Sequence, residues 1–289
     1  MALMLATSCA GGSKLDHVVA HAPATASPAA SSSIQPDDAV TLSIPDRAQD
    51  ALSPKSGWCG ETAIQEGLLH LGMWAPQRAI HAAGNSKHPD LYADELPVAL
   101  ANLGVRYAFY SARKDSFAAY ESWIAEALAH DQPVVAGVKL LPTEHPDWGL
   151  DHFVLVVGQG KKGLLVNTTW GRSEWAKDTT TPGISFKDVY YGIRLLGLTL
   201  PKGAVPARLV VLDETANLVT VRLVCAGFKP GETVRIERRR HAWDPKLEWS
   251  TTVTATSSTV EQELTLEAAV PARFDCAPFR LRTMMITQR

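Results

Sequence analysis

Apolar residues recur at helical spacing immediately after Cys59, where Ile64, Leu68 and Leu71 share a face and Gly72 lies near the end. A second amphipathic stretch over residues 91–103 carries Leu96, Leu100 and Leu103 and stops at Gly104. A third carries Trp123, Ile124, Ala127 and Leu128. Residues 105–110 are strand-like. Further on the pattern becomes that of strands, at residues 134–138, 153–157, 164–167 and 190–200. Helices first and sheet second predicts an α+β domain over residues 39–200, not an alternating βαβ chain. The stretch Leu200-Pro201-Lys202-Gly203-Ala204-Val205-Pro206 reads as a linker. Beyond it lie short alternating runs at residues 208–213, 218–224, 233–238, 249–255, 260–266 and 279–286, separated by turns such as Lys229-Pro230-Gly231-Glu232. These predict an all-β sandwich over residues 206–289.

Residues 10–38 are rich in Ala, Ser, Pro, Gly and Thr and read as a flexible tether. Cys9 follows a short apolar run ending in small residues, the pattern of a bacterial lipoprotein signal in which that cysteine is lipidated. Residues 1–38 are therefore expected to be a signal-like start and tether, with a membrane attachment through Cys9 and an exported, cell-envelope or secreted location. No run approaches the roughly 20 apolar residues of a membrane span.

The chain has 289 residues, 46% of them hydrophobic and 20% charged, with a net charge of -2. That balance gives no bulk attraction to nucleic acid. The densest basic run, Arg238-Arg239-Arg240-His241, lies in a strand-like stretch and reads as a solvated edge. No metal or other cofactor is expected: the nine histidines are scattered, no HExxH occurs, and His17 and His21 lie in the tether. Among four cysteines, Cys225 and Cys276 are candidates for a disulfide within the C-terminal stretch, with two buried free thiols as the alternative. Cys59 is left as the free thiol.

Cys59 sits where a loop gives way to a helix, with Ser56 as the expected N-cap. A helix N-terminus favours the thiolate. Gly57 and Gly60 flank it, and both are expected to let a substrate backbone approach. Glu61 suits the helix start but opposes a thiolate if it points at one. His152, next to Asp151, begins a strand, and Asn167 ends the following one. The glycine-bracketed segment 159–163 makes these strands a hairpin, which is expected to set His152 and Asn167 face to face at its open end. Thiol, imidazole and amide are the parts of a nucleophile, a base and an orienter.

The stretches Leu150-Asp151-His152-Phe153-Val154-Leu155-Val156-Val157-Gly158 and Asn167-Thr168-Thr169-Trp170-Gly171, with the Cys59-Gly60 helix start, resemble the motifs of papain-like cysteine peptidases. The compact spacing is nearer the bacteriocin leader-peptidase branch, which cuts after double-glycine leaders. The resemblance implies Cys59 as nucleophile, His152 as general base and acid, and Asn167 as orienter. It also implies Trp170 as a shield over that pair, with an ordinary core aromatic as the alternative. The family's oxyanion-hole glutamine, six residues before the cysteine, is replaced by Ser53. The donors expected in its place are the Cys59 N–H and the Ser53 or Ser56 hydroxyls. The run Ala226-Gly227-Phe228-Lys229-Pro230-Gly231-Glu232-Thr233-Val234 resembles hairpins of bacterial immunoglobulin-like modules. Together these imply an exported thiol peptidase acting on a peptide or protein through a thioester. The alternative is a catalytically silent domain of the same kind that binds a peptide or partner at the cell envelope.

Overall fold

The computed structural model describes residues 40–51, 53–54, 57–110, 116–140, 149–179, 183–239 and 247–279. Cys9, the tether and Ser56 lie outside these residues. In chain order the elements are β1 (Val40–Thr41), α1 (Cys59–His70), β2 (Met73–Trp74), α2 (Gln77–Ala83), α3 (Leu96–Asn102), β3 (Val105–Phe109), α4 (Phe117–Ala129), β4 (Val134–Val138), β5 (His152–Gly160), β6 (Gly163–Asn167), β7 (Ser173–Ala176) and β8 (Gly192–Leu198). There follow β9 (Val205–Pro206), β10 (Arg208–Glu214), β11 (Leu218–Ala226), β12 (Thr233–Arg239), β13 (Leu247–Thr254), β14 (Thr259–Glu267) and β15 (Ala272–Pro278).

The expected α+β order, a helical part followed by a sheet, is not what forms. Among the described residues 43% are strand and 18% helix, the strands form three antiparallel sheets, and the four helices are interleaved with them. The first sheet runs β3-β8-β4-β5-β6-β7, with β1 beside β5. The others are β10-β11-β14 and β13-β12-β15-β2, with β9 beside β15. The reason lies in short strands that carry no pattern of their own. β1, β2 and β9 are two residues each and are recruited by longer neighbours.

The second pair of sheets is not closed by C-terminal residues alone. Trp74 in β2 pairs with Ala272 in β15, and Phe274 N–H donates to Gly72 O at 2.8 Å. Gly72 has φ +84, and a Cβ there would stand 2.5 Å from Ala207 O, so only glycine turns the chain at this point. Trp74 and Leu69 belong to the second apolar core, with Val219, Val221, Leu223, Ile236 and Phe274. The strand expected over residues 279–286 lies, beyond Phe279, outside the described residues, and β15 is a strand that the alternation did not predict. β15 carries Arg273 and Asp275, both buried, and Arg239 reaches Asp275 at 3.5 Å. Those charges hid it from a reading based on apolar alternation.

Cys225 in β11 and Cys276 in β15 are joined by a disulfide, with Cα atoms 6.4 Å apart. The link crosses from one sheet to the other. Closing a loop of 51 residues contributes about 4 kcal/mol in the chain-entropy account. Replacing both cysteines by serine is expected to lower the unfolding free energy by about 3–4 kcal/mol, read from denaturant melts.

The first core is built by α1, α2, α3 and α4 against the first sheet. α1 packs on β8 and β5 at Gly67, where a Cβ would lie 2.3 Å from Leu195 and 3.7 Å from Leu155 side-chain atoms. All twelve residues of α1 are buried, including Glu61, Gln65 and Glu66. A helix with polar residues buried on every side is stable only if those groups are hydrogen-bonded.

Candidate active site

Cys59 is the first residue of α1 and 1% exposed; it is the free cysteine among the described residues. The N-cap is Trp58, which makes no side-chain capping bond. Ser53, half-buried, donates its N–H to Asp50 O at 2.8 Å in the preceding turn. The flanking glycines serve the protein rather than a substrate. A Cβ on Gly57, at φ +84, would lie 2.5 Å from Gln49 Oε1. One on Gly60 would lie 2.8 Å from Leu96 Cδ2 and 3.4 Å from Phe153.

His152, 3% exposed, opens β5 and pairs in register with Val138. Its Nε2 is 3.0 Å from Thr168 O. A carbonyl only accepts, so Nε2 carries the proton, and Nδ1 is left for the hydrogen bond with Cys59. Burial pulls the imidazolium's pKa down. The Cys59 charge, the hydrogen bond to that sulfur, the Thr168 carbonyl and the Asp151 charge together outweigh it and leave His152 above its usual range. Asp151 accepts the Leu140 N–H at 2.8 Å, which fixes the chain just ahead of the histidine.

Asn167 does not orient the ring. β5 has nine residues and β6 five, so the hairpin's open end is not level. Asn167 pairs with Leu155, three residues beyond His152, and so faces the other side of the sheet. Its amide donates to Ile44 O at 3.0 Å and its Oδ1 accepts from the Ser173 hydroxyl at 2.8 Å. The segment past the end of β6 meets the imidazole instead: Thr168 through its carbonyl, Thr169 with its hydroxyl 3.4 Å from Nε2, and Trp170 through its ring. Trp170 stacks on His152 with centroids 4.6 Å apart and planes 20° apart, and its 42% exposure shows it is a cover, not a core residue.

Gln49 had no motif to announce it. It accepts the Trp58 N–H at 2.7 Å, and its amide is 3.3 Å from Thr169 Oγ1. One side chain thus ties the loop before the thiol to the loop behind the histidine. Glu61 is also settled by geometry. It is fully buried, its Oε1 accepts the Leu91 N–H at 3.0 Å, and that oxygen is 2.9 Å from His81 Nδ1. Burial is the main cause that pushes its carboxyl up to about 9, with the Cys59 charge adding to it. At neutral pH Glu61 is uncharged and does not oppose a thiolate.

A cleft of about 980 Å³ lies on the far side of segment 46–51, lined by Gln65, Gln77, Arg78 and Glu214 among others, and neither Cys59 nor His152 borders it. Among the described residues, no group of three His, Cys, Asp or Glu side chains is placed to hold a metal ion, and no helix is long and apolar enough to cross a membrane. No family model, curated protein or solved structure matches the chain.

Proposed function

We propose that the protein is a thiol peptidase cleaving a peptide or isopeptide bond through Cys59 and His152. The observation that carries this reading is the buried free thiol hydrogen-bonded to an imidazole whose other nitrogen is tied to Thr168 O. The likeness of the Cys59 and His152 motifs to papain-like peptidases supplies the reaction class. The orienter is a backbone carbonyl, where that class was expected to use Asn167.

Cys59 passes its proton to Nδ1, and the resulting imidazolium is stabilised by the thiolate and by Thr168 O. The sulfur attacks the substrate carbonyl carbon, and its oxygen becomes an oxyanion near the uncapped amides of the first turn of α1. Nδ1 then returns the proton to the leaving amine as the C–N bond breaks, leaving a thioester. Nδ1 next takes a proton from water, which attacks the thioester, and the carboxylic acid and thiol are released. The disulfide between Cys225 and Cys276 supports an oxidising compartment, and so an exported protein held through Cys9 or secreted.

One observation favours a second reading. At 1% exposure the sulfur is out of a substrate's reach until a neighbour moves, which suits a catalytically silent domain that binds a peptide or partner. A small cysteine-directed electrophile separates the two. Chloroacetamide at pH 7, read by peptide mass mapping, is expected to label Cys59 first, and His152→Ala is expected to slow that labelling about tenfold or more, as thiolate is lost. Equal labelling of both proteins would leave the silent domain as the better reading.

A further inference from the structure

Segment 44–50 runs between α1 and the loop behind the histidine, and its side chains converge on a carboxyl pair that the chemistry above does not use. Asp46 Oδ1 accepts the Thr169 N–H at 3.2 Å and the Arg47 N–H at 2.9 Å, while Oδ2 lies 3.4 Å from the Thr168 hydroxyl. Thr169 has φ +69, a left-handed conformation that a β-branched residue holds only under restraint. Gln49 N–H adds a bond to Thr169 O at 3.1 Å, and Ala48 bridges Trp170. Behind Asp46 stands Glu66 of α1, fully buried, with Oε1 accepting the Arg47 N–H at 2.8 Å. No N–H or O–H donor reaches its Oε2.

We propose that Asp46 and Glu66 are positioning residues for His152. Glu66 fixes Asp46, Asp46 clamps the strained Thr169 turn, and the turn holds Thr168 O against Nε2. This rests on the thiol–imidazole reading above. Burial, with the Asp46 carboxylate next in effect, raises the Glu66 carboxyl well above the usual range, so Glu66 keeps a proton to share with Asp46. Arg47 is the charged residue beside the pair, its N–H shared by both carboxyls, and the Asn167 side chain also reaches Glu66.

The test is the pH dependence of Cys59 alkylation by chloroacetamide in the full chain. Asp46→Ala and Glu66→Ala are expected to slow alkylation at pH 6–7 by about 10- to 100-fold, the scale of a misplaced reacting group. Their profiles should move towards that of an ordinary thiol near pH 8.5. Asp46→Asn retains the acceptor for Thr169 N–H and Glu66→Gln retains a donor for Asp46, so each should stay within about threefold of wild type on the same scale. An alanine variant that melts as wild type and keeps the wild-type profile overturns the proposal. Amide exchange needs no variant: Thr169 N–H is expected to exchange as slowly as the amides of β6, and fast exchange overturns the clamp. If wild type itself reacts as an ordinary thiol and His152→Ala changes nothing, the thiol–imidazole reading falls and this proposal with it, an outcome visible before any Asp46 variant is made.

Discussion

His152→Ala is expected to lower kcat for peptide cleavage by about 10²- to 10⁴-fold and to invert the pH dependence of what remains. In the proposed mechanism the reactive form is the thiolate with imidazolium. Because His152 is held above the usual imidazole range, this pair survives upward through neutral pH and is lost only as pH rises through the raised value. The same shift acts on stability. A histidine raised in the folded state stabilises fully below about pH 6.5, its unfolded value, and the gain disappears as pH passes the folded value. Without the imidazole, Cys59 is a buried thiol with an ordinary or higher pKa, so residual activity should climb with pH instead of falling. The check is kcat/KM from pH 5 to 10 for both proteins, with melting temperatures alongside. A variant that keeps the wild-type descending limb would place the responsible group elsewhere.

Trp74→Ala is expected to destabilise the whole chain by about 3–5 kcal/mol, the range for truncating a buried tryptophan. Trp74 is fully buried in the second core, its indole N–H donates to Ala268 O at 3.1 Å, and the Arg47 guanidinium lies 5.5 Å from its ring centroid. At roughly 2–4 °C per kcal/mol for a chain of this size, the melting temperature should fall by about 10 °C. The loss should reach the thiol, because α1 leads into β2 and residue 272 pairs with residue 74. Calorimetry should show one transition moving as a unit. A variant in which only part of the heat absorption moves would mean that the cores melt independently.

Much of the site was legible in the sequence, and the part that was not has a physical cause. Cys59 at a helix start and His152 at a strand start were visible because apolar periodicity dates both elements. The orienter was not. Residue type points to Asn167, but strand length and register decide which residues meet, and the register shift between Val156 and Gly158 has no sequence signal. A carbonyl, as on Thr168, has none either. Glycines such as Gly57 and Gly60 suggest room for substrate in a sequence, whereas here a side chain and a helix contact fill that room. The order of layers failed for a related reason. Two-residue strands such as β2 are created by their partners, and β15 hides its burial behind an Arg–Asp pair.

The pairing of residue 74 with residue 272 has a consequence for biosynthesis. A ribosome adds roughly 5–20 residues per second, so about 10–40 s separate these two positions. Throughout that interval β2 lacks its paired strand, and Trp74 has only the earlier members of the second core, such as Leu209 and Val219, to pack on. The anchor at the end of α1 is therefore completed late although the helix is made early. A chain still under synthesis, or one cut short before residue 272, lacks the strand that pairs with β2, so the C-terminal end of α1 gains that anchor only when the molecule is whole.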